Sequence, residues 1–154
     1  MGVIFRDHPM QEGGRRLEVH MKTFMKKWNG VAVEDDGAYM SKEAKSFVTA
    51  FRNMLKRELA DLNPTITIKP GHYYLSGMVE VGGKYLYVSY EIPRWGSRVD
   101  MSRSGVDGVL YRPAKHDKDW TGGHNRFTSI QNLPGAIREI FKSDTPWKEC
   151  TGNR

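Results

Sequence analysis

The sequence predicts an α+β fold: two N-terminal helices, a mostly antiparallel sheet of about four strands around a central Gly-Gly hairpin, and a C-terminal helix. Three observations carry that expectation. Apolar residues recur at helical spacing in two segments before Asn63. After Pro64 the period changes to alternation, and Gly82-Gly83 separates two alternating runs of equal length.

The first helix is expected from Arg15 to Trp28, with Leu17, Met21, Phe24, Met25 and Trp28 on one stripe and Asn29-Gly30 ending it. Arg15, Lys22 and Lys26 fall opposite that stripe, as on an ordinary solvated face. Ser41 is placed to cap a second helix, with Glu43 in its first turn, running to about Leu62 before Asn63-Pro64. Phe47, Val48, Phe51, Leu55, Leu59 and Leu62 form its apolar stripe. Lys42, Lys45, Arg52 and Lys56 fall in one sector away from Glu58 and Asp61, a ridge of like charge suited to an anionic partner.

Thr65 to Lys69 reads as a short strand, followed by the hairpin Tyr73–Val81 and Lys84–Ile92. A two-residue turn fixes the register, pairing Val81 with Lys84, Val79 with Leu86, Gly77 with Val88 and Leu75 with Tyr90 on the core side. The other face carries Tyr74, Tyr85 and Tyr87, expected as an exposed aromatic face that stacks on unpaired bases, contacts a protein, or is covered by another element.

A polar connection from Pro93 to Gly105 follows, with Trp95 and with Arg94, Arg98 and Arg103 as candidate phosphate contacts; a solvated loop is its plainer reading. Val106 to Arg112 is expected as a fourth strand and Leu133 to Lys142 as the last helix, with Leu133, Ile137, Ile140 and Phe141 inward. The predicted core includes Phe47, Phe51, Leu55, Leu75, Val79, Leu86, Val88, Ile137 and Phe141. The expected domain spans residues 1–143, with 144–154 a polar tail.

Composition narrows the class. Hydrophobic residues make up 38% of the 154 and aromatics 11%, enough for one core without metal or disulfide staples. Cys150 is the single cysteine, so neither an intramolecular disulfide nor a cysteine zinc site can form, and a reducing, cytoplasmic setting is expected. No run has the length of a signal or membrane-spanning segment, so no membrane partner is expected. A net charge of +6 favours polyanionic partners where it is clustered.

The segment Arg112 to Arg126 is too long and polar for a simple connector. Arg112, Lys118, Asp119, Trp120, Gly122, Gly123 and Asn125 are read as a structured recognition loop. Asp119, Thr121 and Asn125 suit backbone hydrogen bonds, the glycines a turn, and Trp120 anchoring by burial. His116 and His124, with Asp117 and Asp119, offer a metal site or a general base for phosphodiester cleavage, yet their spacing matches no nuclease signature. No catalytic residue and no cofactor is therefore assigned.

The run Gly71, His72, Tyr73, Tyr74 and the later pattern Tyr111, Arg112, Ala114, Lys118, Asp119, Trp120, Thr121, Gly122, Gly123, Asn125 resemble small proteins of phages and mobile elements of Gram-positive bacteria. Trp120 stands where that pattern has tyrosine. The resemblance covers about the C-terminal half and implies a setting more than a reaction. With the size and charge, it permits an anti-CRISPR-like interaction protein that blocks a host nucleoprotein such as a Cas effector, without catalysis. The alternatives are a small metal- or histidine-dependent nuclease and an accessory protein binding RNA or DNA directly.

Overall fold

The computed structural model describes residues 20–33, 41–71, 73–93, 97–120 and 123–152. Residues 20–28 form helix α1, with Met21, Phe24 and Trp28 buried; the expected start at Arg15 lies outside the described residues. Helix α2 (Lys42–Glu58) begins where the Ser41 hydroxyl accepts the Ala44 N–H at 3.0 Å. A single tight turn, Ala60–Leu62, follows, and Asn63 at φ 50° reverses the chain in the left-handed region that asparagine tolerates.

Six strands are present among the described residues, two more than expected: β1 (Thr65–Ile66), β2 (Lys69–Pro70), β3 (Tyr74–Val81), β4 (Lys84–Glu91), β5 (Val109–Ala114) and β6 (Arg126–Thr128). All pairings are antiparallel, in the order β1-β3-β4-β5-β6, with β2 also on β3. The expected strand Thr65 to Lys69 is split, because the chain arches over Gly77. A β-carbon there would lie 2.4 Å from the Thr67 carbonyl oxygen. The expected fourth strand starts late, at Val109, since Gly105–Asp107 is a tight turn. β6, which was not expected, begins at Arg126, the last residue of the segment read as loop.

The hairpin holds the expected register at every position from Tyr74 opposite Glu91 to Val81 opposite Lys84. Gly82 and Gly83 lie at φ 57° and 85°, the paired positive values that a two-residue turn between twisted strands needs. Leu75, Val79, Leu86, Val88 and Tyr90 consequently face the helices. Phe47 sits at the centre of the packing, its ring 5.4 Å from Trp28, 5.9 Å from Phe24, 6.1 Å from Phe51 and 6.0 Å from Tyr90. Every predicted core residue is buried, except that Phe141 is only partly covered.

Helix α3 (Leu133–Phe141) closes the core with Leu133, Ile137 and Ile140. The segment expected as a polar tail instead forms helix α4 (Thr145–Gly152), which packs on β5. Its Trp147 is buried, stacks on Phe141 at 4.9 Å and donates its indole N–H to the Tyr85 carbonyl at 2.7 Å. Cys150 is buried too, its Sγ 3.6 Å from the Pro113 carbonyl.

The last residue of α2, Glu58, is buried at 4% exposure although charged, and one of its carboxylate oxygens has no hydrogen-bond partner. Burial pushes its carboxyl up to about 7, against the opposing pull of the Met21 N–H and of Arg138. Arg138 is itself tied to the Glu58 carbonyl at 2.6 Å and to both oxygens of Asp61. Because the folded value lies above the unfolded one, this group's stabilisation is complete at low pH. It is lost as pH rises from about 4.5 to about 7. Glu58→Gln keeps an acceptor for Met21 and abolishes the charge. In urea denaturation the variant is expected to match the parent near pH 4.5 and to exceed it by roughly 2 kcal/mol at pH 8. An equal difference at both pH values would contradict this.

Candidate functional site

On the outer face of the sheet, β5 carries a charged residue where an apolar one is usual. Arg112 lies beneath the following loop with its side chain 2% exposed, its guanidinium 4.8 Å from the Tyr87 ring centre. Its Nη2 donates to the Asp119 carbonyl at 2.9 Å, and its Nη1 lies 3.7 Å from the Asp119 carboxylate. That carboxylate also accepts the Lys115 N–H at 3.0 Å. Gly123, at φ 76°, turns beside the same side chain; a β-carbon there would stand 3.5 Å from Arg112 Cδ.

Among the described residues of the loop, Asp119 bonds to the backbone and Gly123 turns the chain as expected, but two residues swap roles. Arg112, expected within the recognition surface, is the buried support. Trp120, expected to anchor the loop by burial, is 52% exposed and only leans edge-on against Tyr87 at 6.1 Å. Tyr85 and Tyr87 are half-buried, so the aromatic face is open only in part; Tyr74 remains 46% exposed. Lys118, His116, His124 and Asn125 are exposed, and the Lys118 N–H donates to Nδ1 of His116 at 3.2 Å. Thr121 and Gly122 lie outside the described residues. Among the described residues no group of three or more His, Cys, Asp or Glu is placed to hold a metal ion.

Between this loop and the β1–β2 edge lies a cleft of about 640 Å³, with Ser76, Met78 and Tyr85 on its floor and Lys69, Lys118 and Trp120 on its walls.

A second concavity lies among the helices, which pack on the sheet's inner face. Lys42, Lys45 and Lys56 are exposed as expected. Arg52 is not a free member of their ridge: it is half-buried and its Nη1 donates to the Ile68 carbonyl at 2.8 Å, fastening α2 to the β1–β2 arch. Lys27 of α1 takes its place. It lines a groove of about 420 Å³ together with Lys42, Lys45, Ser46, Thr49 and Asn53, and no acid is among the described lining residues. Lys27 escaped the sequence reading because it flanks the apolar stripe of α1, its Nζ 5.6 Å from the centre of the Trp28 ring, rather than sharing a sector with Lys22 and Lys26.

Two of the loop arginines have partners within the chain. Arg98 donates to the Gly30 carbonyl at 2.9 Å, and Arg103 lies 3.4 Å from Asp100. Asp100 accepts from the Ser102 hydroxyl and N–H, which, with Arg103, hold its carboxyl below the usual range. Arg94 and Trp95 lie outside the described residues. Comparison with family models, curated proteins and solved structures finds no match to this chain.

Removing Asp119 leaves the Arg112 guanidinium buried without its counter-charge, so Asp119→Ala is expected to cost about 2 kcal/mol or more. Trp120→Ala, at a half-exposed site, is expected to cost under about 1 kcal/mol. Chemical denaturation of both variants checks the order, and a larger loss for Trp120→Ala would restore the burial reading.

Proposed function

We propose that this is a non-catalytic binding protein that docks on a bacterial host nucleoprotein and blocks it, in the manner of an anti-CRISPR acting on a Cas effector. The observation that carries the reading is the lysine groove between α1 and α2. Three lysines line it, with no acid among the described lining residues. Lys42 opens α2 and Lys45 follows one turn on, at the helix end whose dipole favours anions and opposes cations by about 0.3–1 kcal/mol each. Such an arrangement is unfavourable for the helix alone and becomes favourable when phosphates lie against it. Ser46, Thr49 and Asn53 add hydrogen-bonding groups along the same surface.

The net charge of +6 and the likeness of the C-terminal half to small phage and mobile-element proteins support the same reading. The histidines of the nuclease alternative are exposed, and the Nδ1 of His116 is engaged within its own turn. No specific observation favours catalysis.

The test is binding to purified guide-loaded Cas effectors, with nucleic-acid integrity followed in parallel. A stoichiometric complex without turnover is expected. Replacing Lys27, Lys42 and Lys45 together by Gln should weaken it at least about tenfold at low salt and reduce the slope of log K against log salt by about 2–3. The fold should keep its stability within about 0.5 kcal/mol, as these positions are exposed. Unchanged affinity at low salt would remove the groove from the interface, and turnover of a nucleic acid would overturn the non-catalytic reading.

A further inference from the structure

We infer that the cleft on the outer face of the sheet is a separate binding site for an unpaired nucleotide of a single strand. The inference uses none of the lysine-groove residues and stands apart from the proposed function. Trp120 is the starting point. It is 52% exposed, yet the residue before it is held by the buried Arg112 and by the Lys115 N–H, and its ring rests on Tyr87. A large aromatic ring kept in place at the rim of a cleft loses little freedom on binding, which is how a preorganised stacking platform gains affinity.

The floor excludes one class of occupant. Strand β3 is paired on one side with β1 and β2 and on the other with β4, and the Thr67 N–H reaches the Met78 carbonyl at 2.9 Å. An extended peptide therefore finds no unpaired ladder there to join. Recognition must come from side chains, and those present suit a flat ring bearing an anionic group. Trp120 offers an aromatic face, Lys69 and Lys118 stand on opposing walls, and Ser76 and Thr67 supply hydroxyls between them. The cleft's 640 Å³ lies within the range of about 300–1,000 Å³ usual for small-ligand sites.

Glu80 gives the site a preference among bases. One of its oxygens accepts the Gly83 N–H at 2.7 Å, which orients the carboxylate and leaves the other oxygen as an acceptor. An acceptor there favours bases with an exocyclic amino group, adenine, cytosine or guanine, over uracil. Asp117 and Glu80 offset the two lysines and oppose a long run of phosphates, so at most one phosphate, lying against Lys69 or Lys118 and away from the carboxylates, is accommodated. Tyr74, two residues from Ser76 on the same face and exposed, continues the platform beyond the cleft and points to a strand rather than a free nucleotide.

The experiment titrates the full chain with adenine, cytosine and uracil tetranucleotides, with adenosine monophosphate, and with an acidic aromatic peptide, and maps binding by amide and indole NMR shifts. The expected result is binding of the adenine and cytosine strands with shifts at 74–80, 85, 118 and 120. Uracil should bind several-fold more weakly and adenosine monophosphate more weakly still. The salt slope should be near one phosphate, about −0.7. Trp120→Ala should lose about tenfold or more in affinity, with its fold verified by the same spectra. The Lys27, Lys42, Lys45 to Gln variant should bind as the parent does, so failure here and failure of the lysine groove are told apart. Unchanged affinity in Trp120→Ala, shifts confined to the α1–α2 groove, a monophosphate as tight as the strand, or saturation by the peptide alone would each overturn the assignment.

Discussion

Two glycines at positive φ, Gly82 and Gly83, set the register of the β3–β4 pair, and the side-chain period of a strand makes every other contact depend on that register. A slip of one residue would turn Leu86 and Val88 to the outer face and bring Tyr85 and Tyr87 under the helices. With the register held, the inner face presents Leu75, Val79, Leu86, Val88 and Tyr90 to α2, and the aromatic packing around Phe47 has a surface to close on. Gly77 extends the same constraint to the sheet edge, where the β1–β2 arch lies too close to β3 for any side chain.

The outer face is organised around a buried charge beside the buried apolar Met78 and Ala114. A guanidinium under a loop is costly to desolvate, and Arg112 is tolerable only because Asp119 supplies a counter-charge and an acceptor while Tyr87 supplies a ring. The consequence reaches the surface. A loop pinned by its buried neighbour holds Trp120 in the open, where a loop anchored by tryptophan burial would have hidden it.

Repeating patterns in the sequence made much of this legible. Helix stripes, the turn glycines and the hairpin register depend on neighbours a few residues apart, and the structure follows them closely. Partners that depend on the tertiary fold left no such trace. Arg52 meets Ile68 and Arg98 meets Gly30 only once the elements are packed, so two arginines that looked free for phosphates bond to the protein's own carbonyls. Helix α4 was missed because Trp147 and Cys150 are too few to make a stripe; their burial is set by Phe141, Tyr85 and Pro113. Lys27 and the cleft required two elements each, and no single segment encodes a concavity between elements.

Helix α2 joins these levels through its charges. Its ends carry Glu43 at the start and Lys56 and Arg57 near the finish, in keeping with the dipole, yet Lys42 and Glu58 oppose it at the two extremities. The opposed charges meet different surroundings. Glu58 is buried, and desolvation raises its carboxyl until the neutral form is accessible near neutrality, so that end relieves its own conflict by taking a proton. Lys42 is exposed to water, as are Lys45 and Lys27 beside it. At the N-terminal end the lysines stand in solvent, where an anion lying against them would offset the opposition of the dipole. That asymmetry between a buried carboxyl and solvent-exposed lysines makes the α1–α2 groove, rather than the opposite end of the same helix, the place where the proposed phosphate-bearing partner would be stabilising.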